Sequence, residues 1–186
     1  MVNPRVVATS LLVSGLLASV GSAQPCSHHV PPAVDDSPDA AFTDANGDGI
    51  DGMRCGPIFV DVLTGSDQNP GTIVQPKRTI GAAIAAAKSF SPVRSVYVSK
   101  GAYNEVVTLL AGVDVHGGYD AANGWARSAA NQTSIIAGPT AVFATSLGVP
   151  TTLSHLTIDS SSASGGTTFN AAVVAFLQSL PEIAGR

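Results

Sequence analysis

The chain has 186 residues, a net charge of −4 at pH 7 and charged residues at only 12% of positions. It has no basic patch, which excludes the usual electrostatic basis of nucleic-acid binding. An intrinsically disordered chain is not expected either, because such chains are rich in charge and poor in Val, Leu and Ile. The 19 glycines and the low aromatic content of 5% instead favour a β-rich protein with short strands and many turns.

The first predicted element is a cleavable secretory signal at residues 1–23. Arg5 gives its start a positive charge, residues 6–20 are apolar or small, and small residues end the segment at Ala23. These are the three parts of a secretory signal. A membrane anchor is the alternative, but a spanning helix needs about 20 apolar residues and this run is shorter. We therefore expect a secreted or cell-surface protein that begins near Gln24 after cleavage and has no membrane span.

Residues 24–57 follow as an irregular linker rich in Pro and Asp. The two cysteines of the chain, Cys26 and Cys55, both lie in it. In an oxidising compartment an even pair favours a disulfide. That bridge would close a loop of roughly 30 residues and stabilise the fold by about 3 kcal/mol. Two free thiols are the alternative.

An Asp- and Gly-rich loop within this linker, residues 43–52, has the pattern of a calcium site. Calcium binds six to eight oxygen atoms in flexible geometry. The order of residues resembles the first half of an EF-hand or dockerin loop, but Cys55 stands where an EF-hand has a bidentate Glu. The loop therefore predicts weak calcium binding, with a solvated turn as the alternative. The predicted ligands are the side chains of Asp44, Asn46, Asp48 and Asp51 and the carbonyl of Ile50.

A short β-branched run at residues 58–62 predicts a first strand, and a helix is predicted over residues 76–89. Thr79 is a candidate cap at the start of that helix. Four residues recur at helical spacing and are expected to be buried: Ile80, Ala83, Ile84 and Ala87.

After the helix, short apolar runs separated by Gly-containing turns predict strands at residues 95–98, 106–110, 113–116, 134–136, 141–144, 153–158 and 171–175. Candidate inward-facing residues recur about every 17 to 21 positions, which is close to the length of one stacked repeat. These candidates are Val98, Val115, Ile136, Leu156 and Val174. The spacing favours a parallel β-helix, and a β-sandwich with antiparallel strands stays open.

Residues 58–120 carry a combination of motifs that extends this expectation. Gly-x-Tyr-x-Glu-x-Val begins at Gly101, and Gly-Val-x-Val-x-Gly-Gly-Tyr runs from Gly112 to Tyr119. The segment resembles the N-terminal part of secreted proteins of the pectin-lyase-like superfamily, including bacterial surface proteins that carry a domain of unknown function. The resemblance implies an all-β fold: a short right-handed parallel β-helix over residues 58–186, with an N-terminal capping helix and an incomplete C-terminal end.

The resemblance does not carry catalytic residues over to this chain, and no catalytic residue is predicted. Lyases of this superfamily combine acidic calcium ligands with a basic residue, whereas the basic residues here have no Asp cluster on neighbouring predicted strands. Arg94, Lys100 and Arg127 are therefore interpreted as surface charges. An enzyme would instead require stacking of Asp114, Asp120 and Asp159 beside Arg94 or Lys100.

Several polar and aromatic side chains are interpreted as structural. Glu105 is expected to face solvent, and Trp125 is expected to pack on an edge of the fold rather than stack on a sugar. The histidines, for which no zinc-site spacing is present, are His28, His29, His116 and His155.

The sequence therefore predicts a secreted or cell-surface protein with a structural or adhesive role. A polysaccharide or another cell-surface component is the expected partner. Two alternatives stay open. One is a polysaccharide lyase or glycoside hydrolase, and the other is a truncated product without stable function.

Overall fold

The computed structural model describes residues 36–160 together with the backbone of residues 167–175. The predicted signal at 1–23, Cys26, His28 and His29 lie outside these residues. Within the described ranges, no helix combines the length and the apolar character needed to cross a membrane.

The described chain is mostly strand, with one α-helix and one short 3₁₀ turn. In chain order the elements are β1 (Ile58–Val60), α1 (Ile80–Lys88), β2 (Val96–Ser99), β3 (Gly101–Tyr103), β4 (Val107–Thr108), β5 (Val115–Asp120), the 3₁₀ turn (Ala121–Asn123), β6 (Ala126–Arg127), β7 (Thr133–Ile136), β8 (Val142–Phe143), β9 (Thr151–Ser160) and β10 (Thr167–Ala175). The all-β expectation is confirmed, and β3 and β6 are strands that the sequence pattern did not predict.

Most strands belong to one curled sheet in the order β1-β2-β5-β9-β7-β3. Every neighbouring pair along this path is parallel. A separate parallel pair joins β4 to β8. Consecutive stretches of the chain therefore stack on one another, which is compatible with a parallel β-helix and differs from the antiparallel pairing of a β-sandwich.

The sheet curls along β9, the longest of the strands. Leu153 and Ser154 of β9 pair with β5, whereas Thr157 to Asp159 pair with β7. His155 lies between these two segments with a φ of 56°. A positive φ is uncommon outside glycine, and here it lets one strand contribute to two differently directed parts of the sheet.

The inner face of the sheet encloses the larger apolar core. Val98, Val115 and Leu156 are buried there, as predicted. The prediction for β7 was wrong by one position, because Ile135 is fully buried in this core while Ile136 is partly exposed. Side chains alternate between the two faces of a strand, so a slip of one residue reverses which side chain points inward.

The strand predicted at residues 171–175 lies within β10, but it does not add another parallel layer. β10 pairs antiparallel with β9 along most of the length of that strand. The side chain of Val174 lies outside the described residues, so its predicted inward orientation stays a prediction.

Helix α1 covers the inner core with the four residues that helical spacing predicted. Ile80, Ala83, Ile84 and Ala87 are buried. The Thr79 hydroxyl accepts a hydrogen bond from the backbone N–H of Ala82, which confirms the predicted cap. The helix is shorter than predicted, because the residues before Thr79 instead pair with β1 through Lys77.

Glu105 reaches the beginning of the same helix, so the expectation that it faces solvent was wrong. Its Oε1 accepts from the N–H of Ile80 at 2.8 Å, and its Oε2 accepts from the N–H of Gly81 at 3.0 Å. The first N–H groups of a helix have no partner within the helix and carry a partial positive charge. Glu105 satisfies two of them from the connection between β3 and β4.

Replacing Glu105 with alanine is expected to lower the free energy of unfolding by about 1 to 3 kcal/mol, because hydrogen bonds to a charged group are lost. Chemical denaturation measures this change. Asn104→Ala is the matched control, since Asn104 is adjacent and exposed, and its effect is expected to stay within about 0.5 kcal/mol. Equal effects of the two substitutions would contradict the capping role.

Candidate functional site

The outer face of the sheet carries one side chain from each of four stacked strands. Phe59, Tyr97, His116 and Ser154 follow one another in strand register, and we call this row the outer ladder. The Phe59 and Tyr97 rings meet edge to face at 5.6 Å, and the Tyr97 and His116 rings do so at 5.8 Å. Parallel in-register pairing places these residues in one row although they are far apart in sequence.

Residues 36–57 cover the outer ladder, and we call this segment the N-terminal strap. It contains no helix or strand, in agreement with the irregular segment that the sequence predicts. It is nevertheless packed rather than extended into solvent. Ile50 is buried against Phe59, Tyr97, Tyr119 and Trp125. The Tyr119 hydroxyl donates to the Asp51 carbonyl at 2.7 Å, and the Met53 N–H donates to the Tyr97 hydroxyl at 3.2 Å.

Arg127 joins the strap to the sheet, so its interpretation as a surface charge was wrong. It forms an ion pair with Asp51 at 2.7 Å, and each side chain is only 1% exposed. Its guanidinium also donates to the carbonyls of Gly117 and Asp39 and to the Ser154 hydroxyl, at 2.8, 2.9 and 3.0 Å. A buried charge requires this degree of pairing, because an unpaired ion in the interior is costly.

His116 is buried beside this ion pair and contacts Ser154, with 2.7 Å between Nδ1 and Oγ. Burial, followed by the positive charge of Arg127, lowers the pKa of His116 from 6.5 to about 4. The ring is therefore neutral at neutral pH. A histidine with so low a pKa is a weak general base at that pH, because catalytic pKa values lie near the operating pH.

His155 occupies the edge of the site, where its ring meets Phe42 of the strap edge to face at 4.6 Å. Partial burial, followed by Arg127, lowers the pKa of His155, and Asp51 acts in the opposite direction. The strap thus contacts the sheet beyond the end of the outer ladder as well as along it.

Trp125 lies beneath the strap, in the connection between β5 and β6. It is buried, its ring meets Phe59 at 4.8 Å, and its Nε1 donates to the Ile73 carbonyl. The expectation that Trp125 packs on the fold is confirmed.

The predicted calcium loop lies within the strap. Asp44 accepts hydrogen bonds from the N–H groups of Asp48 and Gly49. Asp48 accepts from the N–H groups of Ile50 and Arg54. Asn46 Oδ1 accepts from the N–H of Asp48. Each of these oxygen atoms retains a further lone pair, so the donor types suit a hard cation such as calcium.

Asp51 stands apart from the other predicted ligands. One of its carboxylate oxygens binds Arg127, and the other accepts from the N–H of Asp39 at 3.1 Å. Burial raises the pKa of Asp51, although the hydrogen bond from Arg127 acts in the opposite direction. Ile50 is buried with its side chain in the aromatic cluster. Across residues 36–160, no three His, Cys, Asp or Glu side chains are grouped as metal ligands.

Cys55 lies at the exposed end of the strap and is not a free thiol. Cys26 is outside the described residues, so the Cys26–Cys55 bridge stays a prediction. A bridge at this position would tether the strap just before it enters β1.

The acidic residues that an enzyme would require are distributed along the sheet. Asp114 precedes β5 and accepts from the N–H of Thr152, whereas Asp120 ends β5 and pairs with Lys100 at 2.6 Å. A strand rises about 3.3 Å per residue, so the two carboxylates lie at opposite ends of the strand. Asp159 lies on β9, in register with Ile136.

Sequence reasoning did not identify Ser154 or Arg127 as parts of one site. Ser154 lies in a predicted strand, whereas Arg127 lies in β6, which the sequence pattern did not predict, and only their final positions bring them together.

Comparisons of the chain with known protein families, with curated proteins and with solved structures found no match.

Proposed function

We propose that the chain is a non-catalytic structural or adhesive protein, secreted or displayed at a cell surface, with polysaccharide as its partner class. The observation that supports this most is the use of the buried charged groups. Arg127 is paired with Asp51 of the chain's own strap, and Asp120 is paired with Lys100. Buried polar groups that satisfy one another stabilise a scaffold, whereas a catalytic site presents such groups to a substrate.

The same proposal includes the finer fold, a right-handed parallel β-helix of the pectin-lyase-like type. The parallel register of the curled sheet supports it, as does the position of α1 over one end of the inner core. In stacked repeat folds the first layer needs a cap, because its inner edge has no preceding layer to cover it.

Affinity electrophoresis through gels that contain acidic or neutral polysaccharides tests the proposed role. Retardation in at least one gel, without cleavage of the polymer, is the expected result. The mature chain should be compared with a heat-unfolded sample, which controls for non-specific retardation. Release of unsaturated or reducing sugar ends would favour the lyase or hydrolase alternative, and migration unchanged in every gel would overturn the adhesive role.

Calcium binding by the strap is part of the proposal, with Asp44, Asn46 and Asp48 as the side chains that hold the ion. Because the EF-hand's closing Glu is absent, the affinity is expected to be weak, about millimolar. Isothermal titration calorimetry should detect heat that Asp44→Ala abolishes. No heat at millimolar calcium would remove this part of the proposal.

A further inference from the structure

We propose that the N-terminal strap is an acid-sensitive cover, which leaves the outer ladder at low pH while the curled sheet remains folded. Residues 36–57 are held at the outer ladder partly through Arg127, whose guanidinium also donates to the Ser154 hydroxyl.

The Ser154 hydroxyl lies between two groups that can both be cationic. Arg127 Nη2 is 3.0 Å from Oγ, and His116 Nδ1 is 2.7 Å from it. Arg127 can only donate, so the hydroxyl accepts from it and has a single proton to give to an unprotonated Nδ1. Protonating His116 reverses this bond, so two cationic groups then donate to the same partly buried oxygen.

Titratable groups on the strap and on three strands lie near this pair. They are Asp36, Asp39 and Asp51 on the strap, Tyr97 on β2, Tyr119 on β5 and His155 on β9. Asp51 already neutralises Arg127. In the described part of the chain, the ion pairs are Lys100 with Asp120 and Arg127 with Asp51, so a protonated His116 has no ion-pair partner of its own.

The direction of the pH effect follows from the pKa values. Burial and the charge of Arg127 lower the pKa of His116 from 6.5 to about 4 in the folded chain, so its contribution to stability is complete above pH 6.5 and is lost as pH falls through about 4. The raised pKa of Asp51 acts in the opposite direction.

The strap is expected to be released without unfolding of the sheet, because His116 lies on the outer face. The elements that cover this face are the strap and the segment from Trp125 through strand β6, which ends at Arg127. The inner core is held by contacts among buried side chains that are apolar, apart from the Tyr103 hydroxyl. Those contacts do not titrate in acid, so the sheet retains its main stabilising interactions.

Trp125 is the only tryptophan in the chain, and it packs against the strap through the aromatic cluster around Ile50. Its fluorescence therefore reports docking, while far-ultraviolet circular dichroism reports the sheet. On titration of the mature chain from pH 7 downward, we expect the fluorescence to change near pH 4 to 5, about where His116 protonates. The dichroism signal should persist to lower pH. One joint transition of both signals, or constant fluorescence to pH 3, would overturn the proposal.

The variant His116→Asn removes the titrating group and should move the fluorescence midpoint down by about one pH unit or more. His155→Asn is the matched control, because Asn tolerates the positive φ at that position, and it should move the midpoint less. An unchanged midpoint in His116→Asn contradicts the proposal.

If that variant does not fold, an NMR pH titration of the histidines in the wild-type chain tests the proposal instead. Protonation of His116 together with the Trp125 change supports the proposal, and protonation above pH 6 without that change overturns it.

Discussion

Replacing Arg127 with methionine is expected to lower the free energy of unfolding by about 3 to 5 kcal/mol, the cost of removing one member of a buried ion pair. Methionine keeps much of the side-chain volume but leaves the buried Asp51 carboxylate without its cation. It also leaves the Gly117 and Asp39 carbonyls without the hydrogen bonds that Arg127 donates. Chemical denaturation of the wild-type and variant chains measures the difference.

A second substitution separates the loss of stability caused by the broken ion pair from the loss caused by poorer packing. Adding Asp51→Leu to Arg127→Met removes the orphaned carboxylate, so the double variant should recover about 1 to 3 kcal/mol relative to the single one. Lys100→Met is the matched control, because the Lys100 side chain is 48% exposed in its pair with Asp120. Its effect should stay below about 1 kcal/mol. Similar losses for Lys100→Met and Arg127→Met would contradict the role assigned to Arg127.

Replacing Ile135 with alanine is expected to destabilise the chain by about 2 to 5 kcal/mol, which is typical of a buried isoleucine truncated in a packed core. Ile135 is fully buried in the inner core, in the same apolar cluster as residues of the neighbouring strands. Thermal or chemical unfolding, monitored by far-ultraviolet circular dichroism, measures the loss.

Ile136→Ala is the matched control, because it makes the same chemical change one position along β7. Ile136 is partly exposed, so its truncation should cost about 1 kcal/mol or less. The order of the two effects tests the register of β7 directly. A larger loss for Ile136 than for Ile135 would mean that the strand is displaced by one residue.

The positions of most strands and of the helix could be predicted from local patterns. Apolar runs between glycines located β2, β5, β7 and β9 to within a few residues, because chain stiffness and turn formation are local properties. The helix could be predicted equally well, since helical spacing places Ile80, Ala83, Ile84 and Ala87 on one face, which is buried.

Register could not be predicted in the same way. Residues 134–136 include two adjacent isoleucines, and nothing local decides which of them faces the core. Pairing with β3 and β9 decides it. The direction of β10 is a similar case, because the same apolar run suits either a further parallel layer or an antiparallel partner of β9.

The candidate site could not be predicted from the sequence for a related reason. Glu105, Arg127 and Ser154 are ordinary polar residues in the sequence, and each acquires its role from a partner far along the chain. Glu105 binds the start of α1, and Arg127 binds Asp51 of the strap. Local sequence alone predicts that such a charged residue lies at the surface. It becomes buried only when distant segments of the chain pack over it.

The sequence by itself determined the β-rich class of the chain, the helix and its cap, and the approximate positions of most strands, because these depend on side-chain periodicity and turn chemistry. Only the tertiary structure decided that Phe59, Tyr97, His116 and Ser154 form one row and that residues 36–57 cover it. Strand register and the burial of ion pairs are set by long-range contacts, whose free energy depends on the whole fold and not on neighbouring residues.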